Sequence, residues 1–153
     1  MIQRIQSLFL LAATILQVLY IKASLAEFLM NNNDSYKFTS AGIKNLSDNS
    51  LVQNTSALLI LSVFIVIITF FAIFLYKKRI LQIRFCIYSM LLNIGQVGLF
   101  LYLYFNFKNN NPVTSGTYEL AAVIPVASII LLFLAFRGIR KDEILIKAYD
   151  RLR

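Results

Sequence analysis

The chain has 153 residues, 59% of them hydrophobic, with a mean hydropathy of +0.72 and a formal charge of +8. That length is one domain, and so apolar a composition excludes an ordinary soluble domain of this size, which makes the class integral membrane. A lone cysteine, Cys86, excludes an intrachain disulfide and paired-thiol redox chemistry, and the lack of histidine excludes imidazole catalysis and the commonest zinc sites.

The first expected span covers residues 5–22, uncharged between Arg4 and Lys22. Its basic start, apolar run and Ser24-Leu25-Ala26 resemble a secretory signal with a small-x-small cleavage site. The run is longer than a usual signal core, however, and Lys22 would fall inside the cleavage region, so a retained helix is expected. Gln3, Gln6, Leu10, Ala13, Gln17, Tyr20 and Ser24 recur at alternating spacings of three and four, which puts them on one helical stripe. A stripe that holds polar residues on a membrane helix should face other helices rather than lipid.

Residues 23–55 form the only long hydrophilic segment, and its scattered apolar residues are too few for an independent core. It is expected to be an outer loop that covers the helix ends. The second span, 56–76, contains the most regular apolar stretch, residues 57–75, which as a helix is roughly 28 Å long against a hydrocarbon layer of about 30 Å. The link YKKRILQIR is short and turns the chain back into a third span, 84–106. Ser89, Asn93 and Gln96 share one face of that span, so Gln17, Asn93 and Gln96 are the candidate polar contacts within the membrane. They read either as interhelical glue or as a polar patch for a solute. Amides cannot change protonation state as a proton relay requires.

Residues 108–118 read as a turn-rich link, and the fourth span is 119–137. Pro125 either kinks this span or sits near its start. In the tail, 138–153, Leu145, Ala148, Tyr149 and Leu152 follow helical spacing, so a basic amphipathic helix is expected that lies on the anionic inner leaflet, docks a cytoplasmic partner or continues the fourth helix as a solvated end. The fold class expected from these elements is all-α: an integral membrane four-helix bundle, antiparallel, ending in that amphipathic tail helix.

Four spans place the amino terminus, the 76–84 link and the tail on one side, which holds eleven bases against three acids and so carries the whole +8. The opposite side has four of each sign. By the positive-inside rule both termini are expected in the cytoplasm of a bacterial inner-membrane protein. The candidate contact residues are Lys77, Lys78, Arg79, Arg84, Arg137, Arg140, Lys141, Lys147 and Arg151, facing anionic lipid or a membrane or cytoplasmic protein partner. Basic residues that flank apolar spans set orientation, so no nucleic-acid partner is expected.

The opening MIQRIQSLFLLAA, the hairpin YKKRILQIR and the closing RGIRKDE and YDRLR resemble a family of small four-helix membrane proteins of Bacteroidota, domain of unknown function 4293. The resemblance implies a four-helix inner-membrane protein of about this size with its first helix retained, and it implies no activity. Every acid lies outside the spans or at their edges, and motifs for metal, nucleotide or cofactor are absent, so neither an enzyme nor a cofactor is expected. The leading expectation is an accessory or assembly factor working through its basic face. The alternative is a small oligomeric carrier or channel with a polar path near Gln17, Asn93 and Gln96.

Overall fold

A computed structural model describes residues 3–30, 35–48, 50–111 and 113–151, with side chains for all of these except 3, 4, 77 and 146–151. Helices α1 (Gln3–Lys22), α2 (Ser56–Phe74), α3 (Arg79–Asn110) and α4 (Ile124–Arg151) are joined by two single-turn 3₁₀ segments, Leu75–Lys77 and Leu120–Val123, and by strands. All four helices are long and apolar enough to cross a membrane. Helices α1 and α3 each pack against both α2 and α4, so they face one another diagonally across a common axis.

The inward residues keep spacings of three and four on every helix. They are Gln6, Leu10, Ala13, Gln17 and Tyr20 on α1, and Leu58, Ser62, Ile65, Thr69 and Ala72 on α2. Helix α3 contributes Cys86, Ser89, Asn93, Gln96 and Phe100, and α4 contributes Ser128, Leu132, Ala135 and Ile139. A 3.5-residue period of this kind is what near-parallel helices need to keep one seam on their neighbours. The outward faces carry large apolar side chains such as Leu8, Ile15, Ile60, Phe71, Leu91 and Ile130. Lipid tails are as apolar as these groups, so the sorting of residues follows size and polarity rather than simple hydrophobicity.

The all-α expectation is overturned by a five-stranded antiparallel sheet in the order β4-β3-β2-β1-β5. Strands β1 (Ser24–Met30), β2 (Ser35–Thr39), β3 (Gly42–Asn45) and β4 (Leu51–Asn54) come from the stretch read as an outer loop, and β5 (Val113–Tyr118) from the stretch read as a link. Backbone groups beyond the helix ends must find partners, and here they find them in one another. In register, Glu27 lies opposite Lys37 on β2 and Thr117 on β5, while Phe28 lies opposite Tyr36 and Gly116. The hydroxyl of Ser40 donates to the Ile21 carbonyl at 2.8 Å, which ties the sheet to the end of α1. Thr55, just before α2, donates to the Thr39 and Ser40 carbonyls, each at 3.1 Å. A cut at Ser24-Leu25-Ala26 would therefore detach α1 and break into β1.

The tail takes the continuous form: residues 138–151 continue α4 without a break, and Ile139 is fully buried among the helices, while of the expected apolar stripe Leu145 is exposed and Ala148, Tyr149 and Leu152 lie outside the described side chains. Pro125 is the second residue of α4, in the first turn, where its missing N–H breaks no helical hydrogen bond.

Two apolar clusters result. At the sheet end, Phe28 and Phe38 meet Phe100, Tyr104 and Phe107 of α3, with Tyr20 and Leu58 beneath. At the end that carries the chain termini, Leu10, Ala13, Ala72, Cys86, Leu132, Ala135 and Ile139 pack together. Between the two, the inward positions are mostly polar.

Candidate functional site

The middle tier is built by residues that replace Leu or Ile at inward helical positions. The Gln17 side-chain amide on α1 donates to Asn93 Oδ1 on α3, a direct bond across the axis. Asn93 Nδ2 then donates to the Ser89 carbonyl at 2.7 Å, one turn back on the same helix. Gln96 Nε2 donates to Ser62 Oγ on α2 at 2.9 Å, and Ser62 in turn donates to the Leu58 carbonyl at 2.7 Å. Thr69 donates to the Ile65 carbonyl at 2.7 Å and approaches Ser89 Oγ at 3.4 Å. Every one of these side chains is buried.

Four buried polar atoms have no well-aligned hydrogen-bond partner among the described residues: Gln17 Oε1 and Gln96 Oε1 of this tier, Ser128 Oγ on α4, and Tyr20 Oη, which stands beside the Gln96 amide. An unpaired polar group within a membrane-spanning core is costly, so the tier is polar beyond what its internal bonds use. The structure thus brings the three candidate membrane residues together, and Gln17 and Asn93 close on one another rather than standing apart. Sequence reading missed Ser62 and Thr69. Their signal is the run Ser62, Ile65, Thr69, Ala72 at spacings of three and four within a helix otherwise rich in Ile, Phe, Val and Leu.

The termini end forms a second polar region. Gln6 Nε2 on α1 donates to Asp142 Oδ2 on α4 at 2.7 Å, and Arg79 Nη1 at the start of α3 donates to the Asp142 carbonyl at 3.3 Å. A Cβ at Gly138 would stand 3.0 Å from Gln6 Cγ, so glycine there lets α1 approach α4 closely. Gln6, Ser7, Tyr76, Arg79 and Gln82 bound a space of about 10 Å³, room for about one water.

The candidate contact residues divide here. Arg79 is turned toward Asp142, whereas Lys78 and Arg84 are exposed. Arg137, Arg140 and Lys141 are exposed side by side on the outward face of α4. Lys77, Lys147 and Arg151 have side chains outside the described set.

The three stretches that carry the family resemblance meet at this end: Gln6 from the opening motif, Tyr76, Arg79 and Gln82 from the hairpin, and Gly138 and Asp142 from the closing motif. The family described as "Domain of unknown function (DUF4293)" matches residues 2–152. The chain belongs to this family. That description assigns DUF4293 no activity, and the match takes in both the helices and the sheet. No curated protein matches the chain.

Among the described residues no group of three or more His, Cys, Asp or Glu side chains could hold a metal ion. What the arrangement can do chemically is hold helices in register, accept neutral polar groups in its middle, and present cations at one end.

Proposed function

We propose that this DUF4293 protein is a non-enzymatic, multi-pass protein of the bacterial inner membrane with both termini and the α2–α3 hairpin in the cytoplasm. It serves as an accessory or assembly factor that contacts a protein partner through its basic cytoplasmic face. The observation that supports this most is the distribution of charge: the whole +8 belongs to the side with the termini and the hairpin. Lys78, Arg84, Arg137, Arg140 and Lys141 are exposed there rather than folded inward. Cations next to apolar spans fix orientation and offer a surface to acidic groups.

The test is affinity purification of the full chain from its native membrane, compared with a Lys78→Gln/Arg84→Gln variant and a truncation after Glu143. Deletion from residue 139 onward would be uninformative, because it removes the buried Ile139 and the Asp142 partner of Gln6. A stoichiometric polypeptide is expected with the intact chain and at least fivefold less with one of the variants. Equal recovery with all three, or no polypeptide at all, would sink this reading.

A second reading, a small oligomeric carrier, draws support from the four buried polar atoms without well-aligned partners among the described residues. The Gln17–Asn93 bond weighs against it, since it closes the axis where a path would run. If these residues line a path, Asn93→Leu/Gln96→Leu should abolish any water or glycerol flux that the intact protein gives reconstituted vesicles in osmotic shrinkage assays; retained flux would exclude that role.

A further inference from the structure

The outward face of α4 carries an open groove of about 470 Å³. Phe133 and Phe136 line one end, Arg137, Arg140 and Lys141 the middle, and Ile144 and Leu145 the other end. Helical spacing puts these residues, except Phe136, on the side away from Leu132, Ala135 and Ile139, which pack inward, while Phe136 stands at the edge and partly packs against that inward cluster. The fourth uncharged run ends at Phe136, so Arg137 is the first cation past the hydrocarbon. From Arg137 to Lys141 the axis advances about 6 Å, which matches the depth of the headgroup layer on one side of a bilayer, about 5–8 Å. Arg137, Arg140 and Lys141 are exposed, and the neighbouring Asp142 carboxylate is turned to Gln6.

We infer that this groove is a binding site for one anionic phospholipid. The phosphodiester sits among Arg137, Arg140 and Lys141, an acyl chain lies over Phe133 and Phe136, and Ile144 and Leu145 bound the headgroup on the water side. Guanidinium groups suit a phosphate oxygen pair because they donate in a fork. A headgroup with its own ammonium would bring a fourth positive charge next to three. The site therefore selects a phosphatidylglycerol-type headgroup over phosphatidylethanolamine. This deepens the proposed function and rests on its placement of the basic end at a headgroup layer.

Native mass spectrometry of the purified full chain, mixed with equal amounts of phosphatidylglycerol and phosphatidylethanolamine of identical acyl chains, tests it. The intact protein should retain phosphatidylglycerol at least fivefold over phosphatidylethanolamine. Arg137→Gln/Arg140→Gln/Lys141→Gln should bring that ratio near one, whereas Arg137→Lys/Arg140→Lys and Lys78→Gln/Arg84→Gln, which does not touch the groove lining, should keep a clear preference. Thermal unfolding of each variant verifies that it is folded. A ratio near one in the intact protein, an undiminished ratio in the triple variant, or an equal loss in the Lys78/Arg84 variant overturns the inference. So does a polypeptide crosslinked from position 144 that occupies the groove in place of lipid. Partner capture that persists while the lipid preference is absent removes this inference and leaves the proposed function standing.

Discussion

Phe28→Ala is expected to lower the stability of the protein by about 3–5 kcal/mol, the loss that follows when a buried aromatic ring leaves a cavity that its neighbours cannot close. Phe28 is fully buried on β1, with ring centroids 4.9 Å from both Tyr104 and Phe107 and 6.4 Å from Phe38. It therefore joins the sheet to the end of α3. The residue opposite on β5 is Gly116, where a Cβ would stand 2.5 Å from Tyr104 Oη and 3.2 Å from a Phe28 ring carbon, so the two rings occupy the space a side chain would need. Collapse into the Phe28 cavity is limited because both β2 and β5 hold β1 in register. Leu29→Ala is the control: Leu29 is 47% exposed, so its change should stay within about 0.5 kcal/mol. Thermal or denaturant unfolding in detergent micelles reads the difference, and proteolysis between residues 30 and 55 should accelerate in the Phe28 variant alone. Equal unfolding curves for the two variants would show that the sheet does not depend on α3.

The four helices were legible because each apolar run is long enough to decide its own structure, and a run of membrane-spanning length has few alternatives. The inward stripe of α1 was legible too, since Gln17 and Tyr20 are costly on a lipid-facing surface. The sheet was not. Its strands have four to seven residues, too short for a firm alternation, and the clearest of them is interrupted: β1 buries the successive residues Leu25 and Ala26 where its register shifts. Strand β5, VTSGTY, contains the Gly and Ser that mark turns, and the reason for Gly116 lies in Tyr104 and Phe28, neither adjacent in sequence. Its pairing with β1 joins segments roughly 90 residues apart, which no local pattern announces.

In the tail the helical spacing was legible, but it does not say whether the helix stands apart or continues the fourth span, and here α4 runs on through Arg151 with Ile139 packed against the other helices. The contact of Gln6 with Asp142 spans 136 positions. Only the presence of Gln6 on the inward stripe of α1 hinted at it. Among the candidate sites, the amides Asn93 and Gln96 stood out as polar residues in an apolar run, whereas Ser62 and Thr69 did not, because hydroxyls that bond to their own helix are common in membrane spans.

Gln17→Leu and Asn93→Leu should each cost about 1–3 kcal/mol of stability, since each leaves the other amide buried without its partner. The double replacement should cost less than the sum of the two single losses, by a coupling energy on the order of 0.6–1.7 kcal/mol, from the mean to the maximum for hydrogen bonds between membrane helices. The reason is the position of the bond. It crosses the axis between two apolar clusters, so a one-turn slip of α1 against α3 would break it and leave Asn93 opposite Ala13 or Tyr20 on the inward stripe of α1. A polar pair in such a place fixes register more than it adds stability, as buried polar residues do in coiled coils. The same three proteins, measured by equilibrium unfolding and by osmotic shrinkage of vesicles, separate the two uses of the polar tier. Loss of stability in the singles, a less-than-additive loss in the double and unchanged vesicle shrinkage identify interhelical positioning. Strictly additive losses would mean that Gln17 and Asn93 do not act on one another, and a loss of flux without a loss of stability would mark them as the walls of a path.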